Sequence, residues 1–192
     1  MLRKTVNIPI SLFESIEGRY FVGQTGLLNF GEGTNAVGRL FNPTHSQVKL
    51  FVNVITISNM TQTDFLAQIW FNAKLPGVGI VSNLVTPANM ALCPRPKPEV
   101  VLQFAQDIHG TPCGGVNPFD RVIPPITTVV DEEDGKFILP PGGSIAIFLV
   151  GQGSTRLQAR IAFGWWEEKI KNSDRSDLIL GKYSVEENWE CE

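Results

Sequence analysis

Residues 157–165 alternate with period two. Leu157, Ala159, Ile161, Phe163 and Trp165 fall on one face, and Gln158, Arg160, Ala162 and Gly164 on the other. This is the pattern of a half-buried strand, and its apolar face requires a second layer to cover it. Residues 48–54 alternate in the same way, but Ile55, Thr56 and Ile57 continue in the opposite phase. The phase change predicts a bulge, or a strand passing between sheets. Residues 64–71, rich in Phe, Ile and Trp, form a further strand, and the continuously apolar 145–150 reads as a central one.

Shorter candidates lie at 19–22, 38–41, 78–85, 99–104, 121–130 and 136–139. Turn signals separate them: Asn42-Pro43, Leu75-Pro76-Gly77, Asn117-Pro118, Asp134-Gly135 and the run Pro140 to Gly143. The Asp134-Gly135 pair predicts a turn between 127–130 and 136–139, lengthened by Asp131, Glu132 and Glu133. Prolines alternate through 90–98 and exclude a ladder position, so this segment reads as an extended connection crossing between sheets. No stretch of the body longer than ten residues shows helical periodicity, although residues 12–16 can form one helical turn. With 18 Gly and 13 Pro in 192 residues, the reading is all-β: a jelly roll or β-sandwich of about eight to ten short strands.

Charge divides the chain. Residues 167–192 carry four basic and eight acidic side chains, whereas the preceding 166 carry twelve basic and eleven acidic. The expected organisation is an N-terminal arm at 1–18, a β-sandwich domain at 19–166 and a charged tail at 167–192. A net charge of −3 argues against a nucleic-acid partner that relies on phosphate neutralisation. No stretch is long and apolar enough for a membrane-spanning helix. Arg3 and Lys4 are not followed by the apolar run of a signal peptide. The expectation is cytoplasmic synthesis, with any extracellular location reached without the Sec route.

Enzyme-like constellations are weak, and the expectation is a chain with no catalytic site, no metal and no cofactor. His109 and Cys113 are separated by Gly and Pro, which disfavours a base and nucleophile on one helical face. His45 and His109 are the two histidines and lie far apart in sequence. Asp131 to Asp134 lacks the ligand spacing of a calcium loop, and Gly151 to Thr155 lacks the Gly-Lys-Ser/Thr ending of a phosphate loop. Cys93, Cys113 and Cys191 have no CxxC spacing. They are either three free thiols or a Cys93–Cys113 pair with Cys191 left over. Trp165 points inward by alternation, leaving Trp166 on the opposite face for packing, an intermolecular contact or a sugar platform.

Two features favour assembly with copies of the same chain. Val6, Ile8 and Ile10 alternate ahead of the body and can lie as an added strand on a neighbour. The acidic tail contains Leu178, Ile179, Leu180, Tyr183, Val185 and Trp189, apolar groups that docking on the domain or on a neighbour would bury. With Trp166, these residues form the expected assembly interface. A weakly charged body is also poorly protected against edge-to-edge pairing.

The run Lys136 to Gly143, the run Ala162 to Glu168 and the central Gly114 to Phe119 resemble an uncharacterised family of small proteins from spore-forming Gram-positive bacteria, over roughly 36–168. In layout the chain is also similar to the jelly-roll subunits of endospore appendages. That resemblance implies polymerisation by strand addition, and in some members by disulfides from an N-terminal connector; here the N-terminal segment has no cysteine. The functional expectation is a self-assembling structural subunit of an extracellular or spore-surface filament, with itself as partner. The alternative is a carbohydrate- or receptor-binding module, lectin-like or phage-derived, using Trp166 and nearby loops.

Overall fold

The computed structural model describes residues 7–77, 79–151 and 153–170. One short helix, α1 (Ile10–Ile16), precedes twelve strands: β1 (Tyr20–Gln24), β2 (Leu28–Gly31), β3 (Asn35–Phe41), β4 (Val48–Asn59), β5 (Phe65–Phe71), β6 (Ile80–Val81), β7 (Val85–Pro87), β8 (Val101–Ile108), β9 (Val116–Ile123), β10 (Thr127–Leu139), β11 (Ser144–Val150) and β12 (Arg156–Lys169). They form two antiparallel sheets packed as a β-sandwich. The first runs β10-β4-β12-β1-β7, with β2 also paired to β12; the second runs β6-β8-β3-β11-β5-β9. The chain crosses between sheets at β2–β3, β3–β4, β4–β5, β6–β7, β7–β8, β9–β10, β10–β11 and β11–β12.

β12 behaves as its alternation predicts. Leu157, Ala159, Ile161, Phe163 and Trp165 are all buried in the core between the sheets. β4 pairs with β12 along its length, and its phase change is a bulge. Gly164 faces Val54 while Trp165 faces Val52, leaving Asn53 without a Cα partner. The extra residue turns Val48, Leu50 and Val52 and then Ile55 and Ile57 to the same core. Asn53 uses its displaced amide to donate to the Tyr20 hydroxyl at 2.9 Å. β11 lies between β3 and β5 as expected, and both of its faces are covered. Ile145, Ile147 and Leu149 enter the main core, while Ala146 and Phe148 join Val37 and Ala105 on the outer face under Leu75 and Ile108.

Four local expectations are corrected. Asp134-Gly135 does not close a hairpin. Both halves of β10 pair with β4, and residues 133–136 form an excursion between Glu132 and Phe137 opposite the bulge. Asp134 (φ 49°) and Gly135 (φ 74°) have turn conformations, so the turn chemistry is right but the partner strand is the same on both sides. Asn117-Pro118 lies inside edge strand β9, where an outward imide nitrogen costs no ladder bond. The span 121–130 breaks at Pro124-Pro125 into β9 and β10. β12 also continues to Lys169, past the boundary placed at 167.

The β10 excursion explains why Trp166 is buried rather than presented. Its ring stacks on Phe51 at 5.2 Å with planes 6° apart. A Cβ on Gly135 would lie 1.9 Å from that ring, so glycine is required both for its positive φ and for the close approach. Glu167 is buried too, at the end where the proline-rich connection returns. It accepts hydrogen bonds from the Trp165 indole (3.0 Å) and from the backbone N–H groups of Glu99 (2.9 Å) and Val100 (3.1 Å). Burial raises its pKa above the ordinary 4.5, outweighing these three bonds to the ionised form.

Two outcomes are expected. Gly135→Ala lowers stability by about 2 kcal/mol, roughly 4–8 °C in Tm for a domain of this size. Gly33→Ala, also at positive φ but with nothing within 4 Å of the new Cβ, costs less, and thermal melts of the two variants isolate the Trp166 contact. For Glu167, the folded chain binds the proton more tightly than the unfolded chain. Its contribution to stability therefore grows as pH falls through the raised value toward 4.5 and is lost as pH rises. Glu167→Gln turns an amide N–H against a backbone donor and costs about 1–2 kcal/mol at pH 7. It also flattens the slope of Tm between pH 5 and pH 7.

Candidate assembly surface

α1 is built against the usual rule for a surface helix, which buries its apolar stripe. Here Ile10, Leu12, Phe13 and Ile16 are exposed, between 42% and 51%, while Glu14 is 3% exposed. A seven-residue helix has no stability of its own, and no side chain caps its first turn. Charge anchors it: Arg19 reaches both Glu14 carboxylate oxygens, Nε at 2.6 Å and Nη2 at 3.2 Å. The pair sits where α1 packs on β1 and β12, and the Arg19 carbonyl accepts the Glu167 backbone N–H at 3.1 Å. The hydrogen bond to Glu14 raises the Arg19 pKa despite partial burial, so the guanidinium stays charged. Gly18 (φ 75°) ends the helix against Leu92 and Pro96, and the Asn89 amide donates to the Ile16 carbonyl.

A second exposed apolar region lies along edge strands β9 and β10. Val116, Val122, Ile126 and Val130 are each more than half exposed. Among the described residues, β9 has β5 on one side and no strand on its other. The edge is tied down by Arg121, which pairs with Asp131 at 3.0 Å, and by Phe137, which meets Phe71 and Phe119. The exposed Glu132 and Asp134 guard β10, as charges commonly guard edge strands.

The expected interface is only partly brought together. Ile8 and Ile10 are exposed, but α1 begins at Ile10, so these residues are not presented as a strand. The signal for a helix was present in the spacing of Leu12, Phe13 and Ile16, the residues that sequence reasoning missed as surface groups. Trp166 is 3% exposed beneath the β10 excursion, so it is neither a contact anchor nor a sugar platform. Val6, Leu178, Ile179, Leu180, Tyr183 and Trp189 lie outside the described residues. Cys93 is a free, exposed thiol, so the Cys93–Cys113 pair is not formed. Cys93 lies on the connection beside α1, whereas Cys113 bridges Lys74 on the second sheet.

A family model described as a family of unknown function (DUF6143) matches residues 1–172. The chain belongs to that family. The matched span takes in the helix, both sheets and every strand of the sandwich, so the exposed α1 lies within the family's own extent. No curated protein and no solved structure matches the chain. Among the described residues, no group of three or more His, Cys, Asp or Glu side chains could hold a metal ion. The outer face of the first sheet has a trough of about 380 Å³ lined by Val22, Gln24, Val54, Thr56, Leu84 and Ala162.

Arg19→Met leaves the Glu14 carboxylate buried without its partner. Amide exchange across α1 is then expected to accelerate about tenfold, the equivalent of ~1.4 kcal/mol, while exchange in β11 and β12 is unchanged. Hydrogen exchange read by mass spectrometry checks both.

Proposed function

We propose that the protein is a structural subunit that assembles with copies of itself. The observation that carries this reading is α1, which is anchored through its carboxylate and leaves Ile10, Leu12, Phe13 and Ile16 in water. A helix held by charge, with its apolar side chains turned outward, is suited to a second surface. The β9–β10 edge supplies a separate one of matching character. Contact between two different patches is heterologous, and unless the rotation closes a ring it propagates into a filament.

Sequence reasoning predicted two joins, strand addition and tail docking. Open edge strand β9 leaves a place for the first, while α1 offers a helix face as a separate contact. The setting that fits is an extracellular or spore-surface filament, in keeping with the layout shared with jelly-roll endospore appendage subunits.

Negative-stain microscopy and sedimentation of the full chain test the reading. Assembly is expected to rise with concentration, and Leu12→Asp combined with Phe13→Asp is expected to abolish it without lowering Tm, because both side chains are already in water. A monodisperse monomer over a wide concentration range overturns the proposal, as does assembly unaffected by the double variant.

A further inference from the structure

On the outer face of the second sheet lies a cavity of about 170 Å³ lined by Arg39, Lys74, Leu75, Gly77, Gly79 and Gln103. Arg39 is held in place from two sides. Its guanidinium lies over the Phe41 ring at 5.1 Å, and Nη2 donates to the Gln103 side-chain oxygen. Its Nε is buried and has no hydrogen-bond partner. Among the described residues, no carboxylate pairs with Arg39 or with Lys74. Burial lowers the Arg39 pKa, and no acidic neighbour offsets it. Two cations and an orphan N–H thus converge on one small space, the arrangement a planar carboxylate satisfies through the fork of an arginine.

We propose that this cavity is a carboxylate site that seats the acidic end of the same chain, residues 186–192. Charge complementarity is the first argument: the segment contains Glu186, Glu187, Glu190 and Glu192 and no basic residue. Position is the second. Lys74 exchanges both backbone hydrogen bonds with Cys113, at 2.9 and 3.0 Å. Cys113 is held in a disulfide, Cys93 is free, and the remaining cysteine of the sequence, Cys191, lies between Glu190 and Glu192. A bond from Cys113 to Cys191 brings those two carboxylates to Lys74 and Arg39. Length is the third argument. The 21 residues from Lys171 to Cys191 reach about 70 Å when extended, beyond the roughly 40 Å breadth of a domain this size. In the joining step the two thiols exchange with a small-molecule disulfide. One sulfur–sulfur bond forms between Cys113 and Cys191, and the reagent departs as two thiols carrying both protons and both electrons.

The test uses the full chain, reduced and then oxidised with a glutathione-type disulfide, followed by digestion without reductant and mass spectrometry. A Cys113–Cys191 peptide is expected from a species that runs as a single chain, with Cys93 still open to alkylation. Lys74→Glu, at the rim, is expected to slow the linkage about fivefold, the worth of one surface ion pair. Lys74→Arg restores it, and raised salt slows the wild type toward the Glu variant. Equal rates for wild type and Lys74→Glu overturn the proposal. So does a Cys93–Cys113 peptide, a Cys113 that stays reduced, or a link found between two chains. Carrying the measurement in the Leu12→Asp, Phe13→Asp background keeps it separate from the outcome for assembly.

Discussion

The pairing of β12 with β4 is the constraint on which the rest of the fold depends. β12 keeps one unbroken alternation from Leu157 to Glu167, whereas β4 changes phase at Asn53. That single unpaired residue lets a twelve-residue strand stay apolar-side-in through a bend. It also sets the opening opposite which β10 must loop out between Glu132 and Phe137. The loop in turn covers Trp166, and Trp165 and Glu167 close the rim against the proline-rich connection. Core, excursion and connection all answer to one register.

Alternation made much of this legible. The five inward residues of β12, the phase change in β4 and the doubly covered β11 follow from the positions of apolar side chains, because the pleat fixes which side each one takes. Alternation does not say whether the outward side is then covered. Trp166 was assigned correctly to the face opposite Trp165, and its burial depends on Gly135, which is far away in sequence. The same non-local cause turned the Asp134-Gly135 signal from a hairpin into an excursion. Positive φ at a loop tip is a local property, but which strand the chain returns to is not.

The surface was harder to read than the core for a related reason. In α1 the apolar residues of a seven-residue segment point to water and a glutamate points in, because Arg19 waits beneath it. Hydrophobic patterning alone assigns such a segment the wrong way round. The Arg39 cavity was invisible for the same reason, since Arg39, Lys74 and Gln103 come from three separate segments and lack a shared spacing. Family membership across residues 1–172 covers these features but does not interpret them; their physical chemistry does.

The Phe51–Trp166 stack makes the β10 excursion optically visible. Trp165 lies in the core with Phe21 at 5.9 Å, whereas Trp166 is shielded by a loop crossing one glycine. Lifting that loop hydrates one indole and leaves the other dry. Once Trp70 and Trp189, the other two tryptophans of the chain, are replaced by Phe, the emission comes from two reporters on consecutive residues, one for the sandwich and one for its cover. A red shift of half the pair marks an opened cover over an intact core.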